Sequence, residues 1–159
     1  MIADTLDNID NAFIIIYEPI KNSIIQYSNF YKIAYSNHHF SLNGLYAAFN
    51  LTNYTTANER CTFNVDMNNN KNIIKQIINL EEYILGLITS HKPRIYKLKS
   101  IISSGYLKYN NDTYPIIENN QTNQTNNNFI LKISGIWETT DKLGLTFKII
   151  MINKEISLL

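Results

Sequence analysis

Apolar and polar residues follow one another along this chain in short blocks, and the blocks predict strands with one long helix among them. Asn11 to Tyr17 holds a β-branched apolar run that predicts a buried strand, ended by Pro19, which lacks the donor a central ladder needs. Ile24 to Tyr35, rich in Ile, Tyr and Phe, predicts a second strand. Leu45 to Leu51 and Cys61 to Val65 predict two more, joined as a hairpin across the polar loop Thr52 to Arg60.

Between Lys71 and Thr89 the period changes. Ile73, Ile74, Ile77, Ile84, Leu87 and Ile88 recur at helical spacing and make one apolar stripe, with Lys75, Asn79 and Glu82 opposite. Ile78 and Leu85 fall outside the stripe, so burial is expected over more than half the circumference. Asn68 to Asn70 are candidate caps, and Pro93 stops the helix. From Arg94 the pattern suits a short helix to Ser104 closed by Gly105, then a strand from Tyr106 to Asn110. Alternation of Tyr96, Leu98 and Ile102 against Lys97 and Lys99 leaves a strand as the alternative for the first part.

The last third predicts a hairpin, with strands Phe129 to Trp137 and Leu145 to Ile152 joined across Thr139 to Lys142. Phe129, Leu131, Ile133, Gly135 and Trp137 share one face of the first strand. Leu145, Phe147 and Ile149 share one face of the second. Bringing these faces together requires a connection of odd length. Residues 118–128 are almost wholly Asn, Gln and Thr, too polar to bury themselves, and are expected to be a flexible loop within a single domain spanning 1–159. The order of elements predicts a mainly β protein with one long helix: an OB-like small β-barrel with an inserted α-helix, or alternatively an α+β sheet with the helix on one face.

Composition narrows the function classes. Hydrophobic residues at 45% and charged residues at 17% fit a folded chain of one-domain size. Twenty-seven Ile and 24 Asn make chance motifs common, and the five Asn-x-Ser/Thr sequons carry no weight for that reason. The single cysteine, Cys61, excludes an internal disulfide and a cysteine-rich metal site, and reads as a buried strand residue. The longest apolar runs fall far short of the ~20 residues that span a bilayer. The N-terminal stretch carries Asp4, Asp7 and Asp10 where a secretory signal would carry a basic start. A cytoplasmic protein without a membrane partner is therefore expected. His38 and His39 are adjacent, so on a strand they point to opposite faces and make a poor metal pair. No phosphate loop, zinc-binding helix motif or nucleophile elbow occurs. The expectation is a protein that is not an enzyme and holds neither cofactor nor metal.

Net charge is +1, yet it is unevenly spread: the first eighteen residues hold four acids and no base, and Tyr83 to Asn111 holds five bases and no acid. Rings and cations are interleaved. Arg94, Tyr96, Lys97, Lys99, Tyr106, Lys108 and Tyr109 form one set; Phe30, Tyr31, Lys32 and Tyr35 a second; Tyr54 with Arg60 a third. Cations that track phosphates beside flat side chains that stack on bases are how single-stranded nucleic acid is gripped, at about 1–3 kcal/mol per stacked base.

The stretch Leu131 to Ile149, LKISGIWETTDKLGLTFKI, resembles the closing hairpin of OB-type single-stranded DNA-binding proteins of large cytoplasmic DNA viruses and other AT-rich replicons. The preceding helix end, Pro93, Tyr96-x-Leu98 and Ser104-Gly105-x-Leu107-Lys108 have the same look, and together the likeness covers roughly residues 80–150. The resemblance implies a five-stranded barrel with a helix, a basic groove crossing one sheet face, no enzymatic activity and a role in viral-type DNA replication. It implies Lys132, Trp137 and Lys148, with Lys97, Lys99 and Lys108, as groove residues. Trp137 is either core or stacking platform. The expected partner is single-stranded DNA, with RNA as the alternative, and exposed strand edges make a homo-oligomer the expected self-contact. The competing function is a structural or host-interaction viral protein that works through protein–protein contacts of its tyrosines.

Overall fold

A computed structural model describes residues 3–111 and 128–152. Along them run β1 (Asp4–Thr5), two single 3-10 turns (Leu6–Asn8 and Asn11–Phe13), β2 (Ile14–Ile16), β3 (Ile20–Lys21), β4 (Asn29–Ser36), β5 (Ser41–Leu42), β6 (Leu45–Phe49), β7 (Tyr54–Ala57), β8 (Arg60–Phe63), α1 (Asn68–Gly86), β9 (Arg94–Ile95), α2 (Lys97–Ser103), β10 (Tyr106–Lys108), β11 (Phe129–Glu138) and β12 (Leu143–Met151). The protein is mainly β, with one long and one short helix. No helix among the described residues is long and apolar enough to cross a membrane. The Asn-rich segment 118–128 lies outside the described residues except for Asn128, whose amide donates to Asn50 Oδ1 at 2.9 Å and to the Tyr54 hydroxyl at 2.8 Å.

β11 organises the larger sheet. One of its edges pairs with β12 along its whole length. The other edge is divided, Phe129–Ile133 pairing with β6 and Gly135–Glu138 with the first half of β4. The second half of β4 departs to pair with β2 and β5. A three-stranded sheet, β10-β8-β7, meets the larger one at an isolated bridge. There the Asn110 amide donates to Ile149 O at 2.9 Å and Asn110 O accepts from the Met151 amide at 3.1 Å. Among the described residues the sheets do not close into a barrel.

Several local expectations are corrected. Asn11 to Tyr17 is a helical turn followed by a strand of three residues, and Ile15 and Tyr17 are exposed, because only the departing half of β4 pairs with this segment. The second strand begins at Asn29, since Asn22 to Ser28 closes into a loop of its own. The hairpin partner of β8 is β7, which lies inside the presumed polar loop and turns back at Asn58 and Glu59, both at positive φ. β6 pairs with β11 instead.

The helix follows its periodicity except at its end, where α1 stops at Gly86 and Leu87, expected on the apolar stripe, is exposed. Ile73, Ile77, Leu80, Ile84 and Leu85 are buried, and Lys75, Asn79 and Glu82 are exposed. Its first residue follows Met67, which makes no side-chain cap. Asn70, a candidate cap, is fully buried and does another job: Nδ2 donates to Thr52 O and Asn64 O, and Oδ1 accepts from the Thr52 amide. All its main polar needs are met, which is what permits an amide in the core. α2 and β10 follow the expected short helix and strand. Gly105 lies between them at φ +73, where a Cβ would stand 2.8 Å from Phe63 O.

The C-terminal hairpin carries the most consequential feature. Its connection, Thr139 to Lys142, is of even length, since Glu138 pairs with Leu143. The odd residue that the apolar pattern demands is inside the strand: the register shifts between Ile133 and Gly135, making Ser134 a β-bulge. Before the bulge Phe129, Leu131 and Ile133 face the core with Phe147 and Ile149. Beyond it Ile136 and Glu138 face inward with Leu145 and Leu143. Trp137 therefore turns to the outer face, paired with Gly144, and leaves the face it was expected to share with Phe129.

Candidate functional site

The outer face of the β4–β11–β12 sheet follows from these registers. Lys132 lies opposite Lys148 on one side and Tyr46 on the other; Gly135 lies opposite Thr146 and Lys32; Trp137 lies opposite Gly144 and Phe30. Directly paired residues share a face, so this surface carries three lysines interspersed with rings. Lys132 Nζ stands 5.1 Å from the Tyr46 ring centroid, and Lys32 Nζ stands 5.8 Å from that of Tyr17. Two glycines make room for the rings. A Cβ on Gly135 would meet the Phe30 ring at 2.4 Å, and one on Gly144 would meet Trp137 at 2.6 Å. The indole Nε1–H donates to Leu145 O at 3.2 Å, which fixes the ring while leaving it half-exposed.

A cleft of about 790 Å³ runs from this face along β12 to α2 and β10. Lys97, Tyr106 and Lys108 line one wall, and Trp137, Phe147 and Lys148 the other. β10 alternates, with Tyr106 and Lys108 outward and Leu107 buried. Arg60 is paired with Lys108 across the small sheet and so lies beside it on the same face. The described lining holds no carboxylate, imidazole or thiol. Like charges placed opposite each other in a ladder repel, and Lys108 and Arg60 are so placed. An anion laid across that pair relieves the repulsion.

The other expected binding residues are elsewhere, each for a visible reason. Tyr35 is buried, with its ring edge-on to Phe13 and its hydroxyl accepting from the Asp10 amide at 3.1 Å. Tyr109 is buried edge-on against Phe129, because it is the inward position after Lys108. Tyr54 packs edge-on against the same ring and accepts from Asn128. Tyr31, the inward neighbour of Phe30 and Lys32, donates to Glu138 Oε2 at 2.8 Å, and burial followed by that carboxylate pushes its phenol pKa up. Arg94 closes the C-terminal end of α1, donating to Leu85 O, Ile88 O and Ser90 O. Lys99 pairs with Glu82 at 3.1 Å, and its Nζ stands 5.9 Å from the Tyr96 ring centroid, which keeps both on the α1 side.

Two buried carboxylates support the walls. Glu81 is fully buried and accepts from the Leu98 and Lys99 amides at 3.0 and 2.7 Å, satisfying the first turn of α2. Burial holds its pKa above the ordinary carboxylate value despite those donors. Glu138 accepts from Lys92 Nζ at 2.9 Å and from Tyr31, and the lysine's hydrogen bond is the main reason its pKa is lowered. Cys61 is buried, and burial pushes its thiol up to about 11, well away from a reactive thiolate. Among the described residues no three His, Cys, Asp or Glu side chains gather as a metal site.

Sequence reasoning missed Tyr17 and Tyr46 as members of this surface. Phe30, grouped with Lys32 in the sequence, does share its face; Tyr46 reaches Lys132 only through a long-range pairing. Comparison of the chain with protein-family models, curated proteins and solved structures gives no match.

Proposed function

We propose that this protein is a non-enzymatic, sequence-tolerant binder of single-stranded DNA that covers strands exposed during DNA replication of the viral type. One observation carries the reading: Lys32, Lys132 and Lys148 share an outer sheet face with Phe30, Tyr46 and Trp137, and the adjoining cleft adds Lys97, Lys108 and Tyr106. Lysines at strand spacing suit a phosphate backbone, and half-exposed rings between them suit unpaired bases, whose faces stack whatever their identity. An OB-like relation is supported by a long, bulged strand that divides one edge between two partners, and by a helix set between strands.

The measurement is fluorescence anisotropy with labelled oligothymidylate. Four phosphates held by Lys97, Lys108, Lys132 and Lys148 give a slope of about −2.8 in log affinity against log salt. Duplex of equal length binds more weakly, since its bases cannot reach the rings. Equal affinity for duplex, or affinity indifferent to salt, overturns the proposal.

A further inference from the structure

A further space adjoins the cleft at Trp137. On the other side of the indole a second cavity, of about 380 Å³, lies between Phe30, Trp137 and Thr146 on the sheet and Ile20, Ile24 and Ile25 of the preceding segment. Trp137 and Thr146 line both spaces, so the two adjoin across the indole. The volume is within the range of small-molecule sites, roughly 300–1,000 Å³.

The loop that forms its far wall exposes apolar side chains at a density that soluble surfaces avoid. Ile24 is 91% exposed, Tyr27 84% and Ile20 62%. Slackness is not the cause. The Asn22 amide donates to Ser28 O at 2.8 Å, Asn22 Oδ1 accepts from the Ile24 and Ile25 amides, and the Ser28 hydroxyl donates to Ile25 O at 2.6 Å. Tyr27 completes the closure at φ +56, a conformation a ringed side chain adopts at a cost. The loop is thus a tied structure that holds isoleucines out beside an aromatic wall, with Lys21 at the lip.

We infer that this cavity receives one unpaired nucleobase of the strand lying in the cleft. Phe30 and Trp137 form its aromatic wall, Ile24 and Ile25 the opposing one, and Lys21 meets the adjoining phosphate. The inference rests on the proposed single-strand reading. Adjacency to a cation-lined cleft selects a nucleotide over a peptide side chain, which would need the apolar walls but no lysines beside them.

Trp137 is the sole tryptophan of the chain, so its emission reports on the cavity directly. Titration with oligothymidylate quenches it saturably. Ile24→Ser with Ile25→Ser weakens oligomer affinity at least about fivefold, the lower bound set by one stacked base. A single abasic position in the oligomer reproduces that loss in the wild type and has no further effect in the double variant. If the double variant melts early, Ile24→Ser alone gives the same direction from a position that packs on little. Salt-dependent binding that ignores both the variants and the abasic scan overturns the inference and leaves the cleft reading intact. A concentration-dependent dimer abolished by Ile24→Ser, with oligomer affinity unchanged, overturns it by assigning the cavity to a second copy. Absence of any oligomer binding overturns the cleft reading and the inference together.

Discussion

Glu138 shows how much one side chain at the end of a strand decides. It is nearly buried, faces the core because of the bulge four residues earlier, and draws Lys92 and Tyr31 onto its two oxygens. Lys92 also donates to Thr139 O at 2.9 Å, so the hairpin connection is tied to the segment that follows α1. The lowered pKa gives a pH dependence of definite sign. The unfolded chain binds the proton more readily than the fold does, so the stabilisation by Glu138 is complete above about pH 4.3, the ordinary glutamate value. It is lost as pH falls through the lower folded value. In urea unfolding at a series of pH values, the advantage of wild type over Glu138→Gln is constant near neutrality and shrinks on acidification below that point. A difference that stays flat into the acid range contradicts the assignment.

At the scale of elements, two glycines set the distance between strand and ring. Gly135 sits where a Cβ would be 2.3 Å from Tyr31 O, a backbone atom that cannot move without parting β4 from β11. Gly135→Ala therefore costs about 3 kcal/mol, the upper part of the usual range for overpacking, and displaces the Phe30 ring. Thermal or urea unfolding measures the first effect, and loss of oligomer affinity at a temperature where the variant remains folded measures the second. Elements governed by local periodicity were legible in the sequence: α1, the short helix and strand around Gly105, and the two strands of the last hairpin. Those governed by distant pairing were not. β6 has the composition of a hairpin strand, yet its partner is the C-terminal β11. The bulge is visible only as a mismatch of parity between an apolar pattern that needs an odd residue and a connection that holds four.

The same division runs through the site. Proximity in sequence grouped Lys97 with Lys99 and Tyr106 with Tyr109, but two residues along a helix turn the side chain away, and three along a strand reverse it. Lys97, Tyr106 and Lys108 reach the cleft; Lys99 turns to Glu82 and Tyr109 enters the core.

Over the whole molecule a net charge near zero conceals a local gathering of cations. The acids of the N-terminal segment lie in β1, in the first 3-10 turn, at the cap of the second and in the stretch before β3. Of the cations, Lys32, Lys132 and Lys148 share the outer sheet face, and Lys97, Lys108 and Arg60 stand along the adjoining cleft. Reversing Lys97, Lys108 and Lys132 together to Glu raises the dissociation constant for oligothymidylate about a hundredfold or more at low salt and flattens its salt slope. Reversing Lys71 and Lys75, exposed on α1 outside that cleft, changes it less than about twofold. Equal losses from both sets mean that overall charge, and not the cleft, attracts the strand.

The residue inserted at Ser134 has an evolutionary corollary. Because it exchanges inside for outside in everything between itself and the tip, this hairpin can diverge by substitution but not by length. Loss of the insertion would send an indole inward and a carboxylate out, gain of a residue at the tip would turn the facing residues of β12 over instead, and only a compensating indel would restore the arrangement. Relatives of this chain are therefore expected to keep the count from Phe129 to Met151 even where little else is alike.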